Sequence, residues 1–173
     1  MKKQAAFLAL YTEHPIYENY QEIPEAFRKM KVPLVLMVHR WDGTIGFPGG
    51  IVEEGENIRQ TIIREVLEEI GYDVSSYRND AEFVCSNDVS NSLETHLFAL
   101  RISFVEYQKI IENFYKSKHI LSEITGLISP HFRNYPEHKV FNQFMNGNFA
   151  PSVKEEILAL RNFLDWEWDY PTK

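Results

Sequence analysis

The order of apolar and polar positions divides the chain into stretches with strand and helix character. Residues 4–11 are mostly apolar without a breaker and predict a first strand. Residues 12–31 are polar and aromatic, with Pro15 and Pro24 among Tyr17, Tyr20 and Phe27, and predict a loop with a short helix from Pro24. Pro33–Arg40 is almost continuously apolar, the pattern of a strand buried on both faces. Trp41-Asp42-Gly43-Thr44 predicts a tight turn, and Ile45–Phe47 a short return strand into a glycine loop, Gly46-Phe47-Pro48-Gly49-Gly50. From Glu56 to Ile70 there is no Pro or Gly, and Ile, Val and Leu recur at helical spacing.

The second half reads less regularly. Tyr72–Tyr77 and Ala81–Cys85 predict short strands with a turn at Arg78-Asn79-Asp80. Ser86–Ser92 predicts a polar loop, and Leu93–Phe104 a long, partly alternating strand. Val105–Ser117 predicts a helix, Ile124–Ser129 a last strand, and Val140–Met145 a short amphipathic helix. Ser152, with Glu155 three residues on, predicts a capping box that opens a helix to about Trp166. Strands on both sides of a helix, followed by more strands and terminal helices, predict a mixed α/β layer fold. No repeat, low-complexity tract or linker divides the chain, so residues 1–173 are expected to form one domain.

Composition narrows the function classes. A hydrophobic content of 44% over 173 residues is enough to bury a full core. The net charge of −7 argues against the broad basic surface that grips a long nucleic acid by its phosphates. Lys2-Lys3, Arg28-Lys29 with Lys31, and Lys116 with Lys118 read as solvated faces. Cys85 is the only cysteine, which excludes an intrachain disulfide and a cysteine-based zinc site and fits a reducing cytoplasm. The opening Lys2-Lys3 and apolar run resemble the start of a signal peptide, but the run ends at Tyr11-Thr12-Glu13-His14 without a small-residue cleavage site. No stretch is long enough to span a membrane.

The helix at 56–70 carries the chemistry. At about 100° per residue, Glu65, Glu68 and Glu69 fall within an arc of roughly 100°. Ile58, Ile62, Val66 and Ile70 form the neighbouring stripe, which faces a core. Three like charges on one face repel unless a hard cation sits among them, and Mg²⁺ and Mn²⁺ prefer carboxylate oxygen. Arg64, four residues before Glu68, is placed to hold a carboxylate. Gly71 stops the helix as a C-terminal glycine.

These residues resemble the signature of the Nudix hydrolases. The family motif is Gly, five residues, Glu, seven residues, Arg-Glu, a bulky apolar residue, any residue, Glu-Glu, any residue, Gly and a bulky apolar residue. Gly50, Glu56, Arg64, Glu65, Val66, Glu68, Glu69, Gly71 and Tyr72 occupy those positions, and only Tyr72 departs, being aromatic where the family is usually aliphatic. Arg40-Trp41-Asp42-Gly43 leading into the glycine loop, and His96-Leu97-Phe98-Ala99, look like the branch that contains the U8 small nucleolar RNA decapping enzyme.

The resemblance implies a Nudix fold, a mixed β-sheet sandwiched between α-helices. It implies hydrolysis of a pyrophosphate linkage in a nucleoside di- or triphosphate or nucleoside diphosphate derivative. Mg²⁺ or Mn²⁺ is then expected on Glu65, Glu68, Glu69 and the Gly49 carbonyl, with Glu69 and Glu68 as the stronger ligands. Glu56 and Arg64 would brace the loop and helix, with Gly50 and Gly71 as structural glycines. The general base is left open between Glu123, which is also a metal-ligand candidate, His119 and the motif-bearing helix at 56–70 itself, the box helix. Arg40, Phe47, Phe149 and Glu156 are candidates for contact with the substrate, with core packing or solvation the commoner role for such residues. The implied partner is a nucleotide-type small molecule. An RNA 5′ end and a homodimer are left open, and no membrane is called for. Two further readings compete, RNA decapping at the same site and a non-catalytic nucleotide-binding module.

Overall fold

The computed structural model describes residues 2–14, 28, 31–77, 79–132, 134 and 139–165. The strands are β1 (Lys3–His14), β2 (Val32–Arg40), β3 (Ile45–Gly46), β4 (Gly49–Ile51), β5 (Glu82–Ser90), β6 (Leu93–Arg101) and β7 (Ile124–Ile128). The helices are α1 (Ile58–Ile70), α2 (Phe104–Asn113), α3 (Val140–Phe144) and α4 (Val153–Leu164). The strands form one mixed sheet in the order β3-β2-β1-β6-β5, with β4 added on β1 and β7 on β2. β1 and β6 are parallel, and the other pairs are antiparallel.

Both faces of the sheet are covered. Leu34, Leu36 and Val38 of β2 alternate with Val35 and Met37, so one strand supplies two cores. The first core joins them to Ile62, Val66 and Ile70 of α1 and Tyr107 and Ile110 of α2. The second joins the opposite face to Phe141 of α3 and Ile157 and Leu160 of α4. This is the α/β sandwich that the apolar pattern and the family resemblance imply. No helix among the described residues is long and apolar enough to cross a membrane.

The sheet also creates a cleft. β1 pairs with β2 only through Leu10–His14, while Ala5–Phe7 pair with β4 on the same edge. Met37–Arg40 of β2 have by then turned to β7 and β3. The ladder irregularity between His39 and Arg40 accompanies that divergence.

Several local expectations need correction. Gly49–Ile51 is a strand rather than the end of a loop, because β1 supplies its ladder. α1 starts at Ile58, not Glu56, since Asn57 caps it: its side chain accepts from the Gln60 N–H at 3.1 Å and its own N–H donates to Gln60 at 2.9 Å. Ser86–Ser92 is mostly strand, β5 running to Ser90 with its polar side chains on a sheet edge paired to β6. β6 ends at Arg101, because Ser103 already caps α2. Ser152 does not form a capping box: its φ is 69° and its hydroxyl donates to Glu156 at 2.8 Å. The expected short helix from Pro24, the pocket or packing roles of Tyr17, Tyr20 and Phe27, and the helix end at Trp166 lie outside the described residues.

Tyr72–Tyr77 is not a strand but a turn leading into a 3₁₀ segment, Ser75–Tyr77. Asp73 turns it locally, its carboxylate accepting the Ser75 N–H at 2.8 Å, and one distant carboxylate holds the tyrosines. Glu106 of α2 accepts the Tyr72 hydroxyl at 2.9 Å, the Tyr77 hydroxyl at 2.6 Å and the Ser103 hydroxyl at 2.6 Å. Those bonds, Ser103 first, hold its carboxyl at about 2. Glu106→Ala is expected to lower stability near neutral pH by about 1–3 kcal/mol. A carboxyl with a depressed folded pKa stabilises above its unfolded value of about 4.5 and loses that contribution as pH falls through about 2. Denaturant unfolding at about pH 7 and about pH 3 should therefore show the gap to wild type narrowing in acid. A gap that is constant or widens would contradict this account.

Candidate metal and phosphate site

Two consecutive glycines set the distance between β4 and α1. Gly49 has a φ of 146°, and a Cβ there would lie 2.1 Å from the Ala6 carbonyl oxygen. A Cβ on Gly50 would lie 2.3 Å from Glu65 Oε1. The first glycine lets the strand lie against β1, and the second leaves room for a carboxylate on the other side. Pro48, between Phe47 and Gly49, offers its carbonyl to the Leu8 N–H at 2.9 Å.

Arg64 ties this strand to the helix. Its Nε and Nη2 donate to the two oxygens of Glu56 at 2.8 and 3.0 Å, Nη1 donates to Glu65 at 2.8 Å, and Nη2 reaches the Ile51 carbonyl at 3.2 Å. The paired guanidinium draws the Glu56 carboxyl down to about 2 and raises the Arg64 pKa in turn. Glu56 stands one residue before the cap rather than in the helix, which lets its carboxylate meet Arg64 from the loop. At the far end Gly71 caps α1 with φ 69° and its N–H on the Leu67 carbonyl at 3.0 Å.

Glu65 and Glu69 are both buried. Glu69 accepts the Gly49 N–H at 2.8 Å. Burial pushes its carboxyl up to about 8, against the Gly49 bond and Arg40, with Glu65 and Glu123 adding repulsion. Burial also raises Glu65, with Arg64 opposing. Glu123, from the segment before β7, brings an exposed carboxylate to the same place. Oxygens of Glu65, Glu69 and Glu123 lie within 4.8 Å of one another.

Glu68, expected from the family resemblance as one of the two stronger ligands, stands outside that group because Lys118 takes its carboxylate. It bonds the Lys118 ammonium, which lowers its pKa, and sits 3.6 Å from Arg64 Nη1 and 4.0 Å from His119 Nε2. The three-carboxylate cluster is therefore built from two box-helix residues and one distant residue.

The cluster lies in a cavity of about 500 Å³ lined by Arg40, Trp41, Gly49, Gly50, Ile51, Glu53, Glu65, Glu69 and Glu123. A second cavity of about 200 Å³, mostly apolar, shares Arg40, Gly50 and Ile51 with it and continues to Ala5, Phe7, Val89, Leu93, Thr95, Ala150 and Pro151. Arg40 thus stands between an acidic chamber and an apolar one. Trp41, a residue of the expected turn with no expected part in the site, is 66% exposed at the acidic chamber. The apolar chamber draws on β1, β5, β6 and the segment before α4, so no local pattern announces it.

The remaining substrate candidates divide. Phe47 is corrected to a core residue: it is 1% exposed within the second core, so its ring face is not available to a ligand. Phe149 packs edge-on against Phe144, with centroids 5.1 Å apart, and its neighbours Ala150 and Pro151 line the apolar chamber instead. Glu156 is 1% exposed and lines neither chamber, because its Oε1 is turned to the hydroxyls of Thr95 and Ser152, each at 2.8 Å. It meets the apolar chamber only through Thr95.

Comparison with known proteins agrees with this architecture. A family model described as "Nudt16-like: U8 snoRNA-decapping enzyme-like" matches residues 5–163. The U8 snoRNA-decapping enzyme of Homalodisca vitripennis is 34% identical over 96 residues, which cover 54% of this chain and 51% of that protein. The U8 snoRNA-decapping enzyme of Mus musculus is 26% identical over 160 residues, covering 90% of this chain and 78% of that one. The chain thus spans about half the length of the insect relative and more of the mouse one. A MutT/nudix family protein from Enterococcus faecalis superposes with a TM-score of 0.66, covering 95% of this chain and 62% of its own, at 13% identity. At that identity the likeness speaks for the fold alone.

Gly50→Ala tests the close approach directly. The added methyl meets a carboxylate that burial and Arg64 keep from swinging away. Mn²⁺ affinity, measured by calorimetric titration, is expected to fall by about 10-fold or more, with a loss of stability of about 1–3 kcal/mol from overpacking a site that cannot give way. Unaltered Mn²⁺ affinity would mean that Glu65 is not held where the ion binds.

Proposed function

The chain belongs to the Nudt16-like, U8 snoRNA-decapping enzyme-like family, and on that premise we propose that it is a divalent-metal-dependent pyrophosphohydrolase acting on a nucleoside di- or triphosphate or a nucleoside diphosphate derivative. The observation that carries this reading is the meeting of Glu65, Glu69 and Glu123 within 4.8 Å at the wall of an open cavity. All the donors are oxygens, two are buried, and Arg64 supplies only part of the charge they need. That donor set fits Mg²⁺ or Mn²⁺ and not a soft metal.

In this reading Glu65, Glu69, Glu123 and the Gly49 carbonyl hold the ion, and Glu68 braces the site from outside. Bound Mg²⁺ or Mn²⁺ supplies neutralisation of the pyrophosphate charge and acidifies a water. Arg40, between the two chambers, orients the anion. The apolar chamber beside Phe7 and Thr95 takes the nucleoside. Glu123, exposed to the cavity, ligates through one oxygen and receives the proton of the attacking water on the other. A new oxygen–phosphorus bond forms, the bridging oxygen–phosphorus bond breaks, and the leaving phosphate carries away the electron pair.

Hydrolysis at an RNA 5′ end is the second reading, and the names of the insect and mouse relatives favour it. The net charge of −7 counts against a long RNA held by its phosphates and leaves a 5′ end as the part recognised. A non-catalytic nucleotide-binding module is the weakest reading, since binding alone needs no buried carboxylate cluster.

EDTA should abolish hydrolysis of a panel of nucleotides and capped or triphosphorylated RNA. Full turnover in excess chelator would sink the metal assignment. Glu69→Gln, which keeps shape and removes charge, should lower kcat by about 10²-fold or more with folding intact. Glu123→Gln should cost roughly 10²–10⁴-fold in kcat, with binding changed less. An unchanged rate in the first variant would misplace the ion, and in the second would return the base to the box helix or His119.

A further inference from the structure

Glu123 comes to the cluster on a short segment between the 3₁₀ turn Phe114–Lys116 and β7. Nothing in that segment's own pattern fixes a carboxylate, yet its backbone is held closely. The His119 N–H donates to the Glu68 carbonyl at 3.0 Å, using one of the carbonyls that the end of α1 leaves open. Lys118 bonds the Glu68 side chain, a cation well placed at a helix C-terminus. The His119 carbonyl lies 3.2, 3.1 and 3.3 Å from the N–H groups of Ser122, Glu123 and Ile124, and so gathers the turn onto itself. Leu121 takes a φ of 64°, a left-handed conformation unfavourable to a bulky side chain, and is held there by its N–H on the Ile124 carbonyl at 2.7 Å. From the other side the Trp41 N–H donates to the Glu123 carbonyl at 2.9 Å.

The backbone is thus fixed, but the Glu123 side chain is half exposed and has rotamers to choose from. One polar group faces it from its own segment. His119 Nδ1 lies 3.3 Å from Glu123 Oε2 and is buried, with no hydrogen-bond partner in this geometry. A ring nitrogen left unsatisfied costs free energy that a small rotation of the exposed carboxylate would recover. The other ring nitrogen lies 4.0 Å from Glu68, so the imidazole is wedged between the anchor and the delivered carboxylate.

We propose that His119 is the positioning residue for Glu123: it selects the rotamer that turns this carboxylate toward Glu65 and Glu69, and Glu68 with Lys118 forms the fixed point from which it acts. Glu123 and His119 then work as a pair rather than as rivals. The inference rests on the metal reading given above.

The test uses Mn²⁺ alone and the affinity of the intact protein for it. His119→Phe keeps the ring and removes its nitrogens, and is expected to weaken Mn²⁺ binding by about 10-fold. His119→Asn, whose amide nitrogen can stand near the place of Nδ1, is expected to stay within about 3-fold of wild type, a rescue that a purely packing role does not give. In a Glu123→Gln background, His119→Phe should add less than about 2-fold, because its effect passes through Glu123. Should His119→Phe fail to fold, His119→Leu enters the same cycle. A loss from His119→Phe that is equally large with and without Glu123, or no loss at all in the wild-type background, would overturn the proposal. Equal Mn²⁺ binding by wild type and Glu69→Gln would instead remove the metal reading, and this inference with it.

Discussion

The site depends on two carboxylates held out of water. Glu65 and Glu69 lie on the side of α1 that meets the glycine strand, where burial raises both pKa values. Moving charge out of water costs several kcal/mol per group unless partners replace the solvent. Arg64 and the Gly49 N–H replace part of it. What they leave uncompensated is a concentration of oxygen ligands that a hard dication satisfies. The two glycines make this possible, because any side chain at either position would meet backbone or carboxylate below contact distance.

The sheet explains why this happens at one edge of β1. β2 leaves that edge after Leu10, and β4 takes it up from Phe7 toward Ala5. The divergence opens the space that Arg40 divides into an acidic and an apolar chamber. The cleft therefore has two chemically distinct halves, an acidic chamber and an apolar one of about 200 Å³. Arg40 reaches both because it is the last residue of β2, at the point where the strand has turned away.

Local sequence misled where a distant partner outweighed it. Tyr72–Tyr77 has strand-forming aromatics, but Glu106 gathers both hydroxyls while Asp73 turns the backbone onto Ser75. Ser86–Ser90 is polar enough for a loop, yet β6 offers it a ladder. Ser152 and Glu155 have the spacing of a capping box, but Ser152 turns instead to the buried Glu156. Phe47 looked like a ring at a pocket mouth, and the second core took it.

The sequence by itself determined the helix, its apolar stripe, the glycines before it, the Arg-Glu and Glu-Glu positions and the α/β class. These are set by intervals within one turn or one strand, and 3.6-residue and 2-residue periods are written directly in residue order. Only the tertiary structure decided which carboxylates meet. Glu68, three residues from Glu65, faces Lys118 and His119, whereas Glu123, more than fifty residues away in sequence, joins Glu65 and Glu69. Helical spacing limits which side chains share a face, but the neighbours of that face come from β7, its preceding turn and the Trp41 hairpin. Their approach is governed by long-range pairing that no local period records.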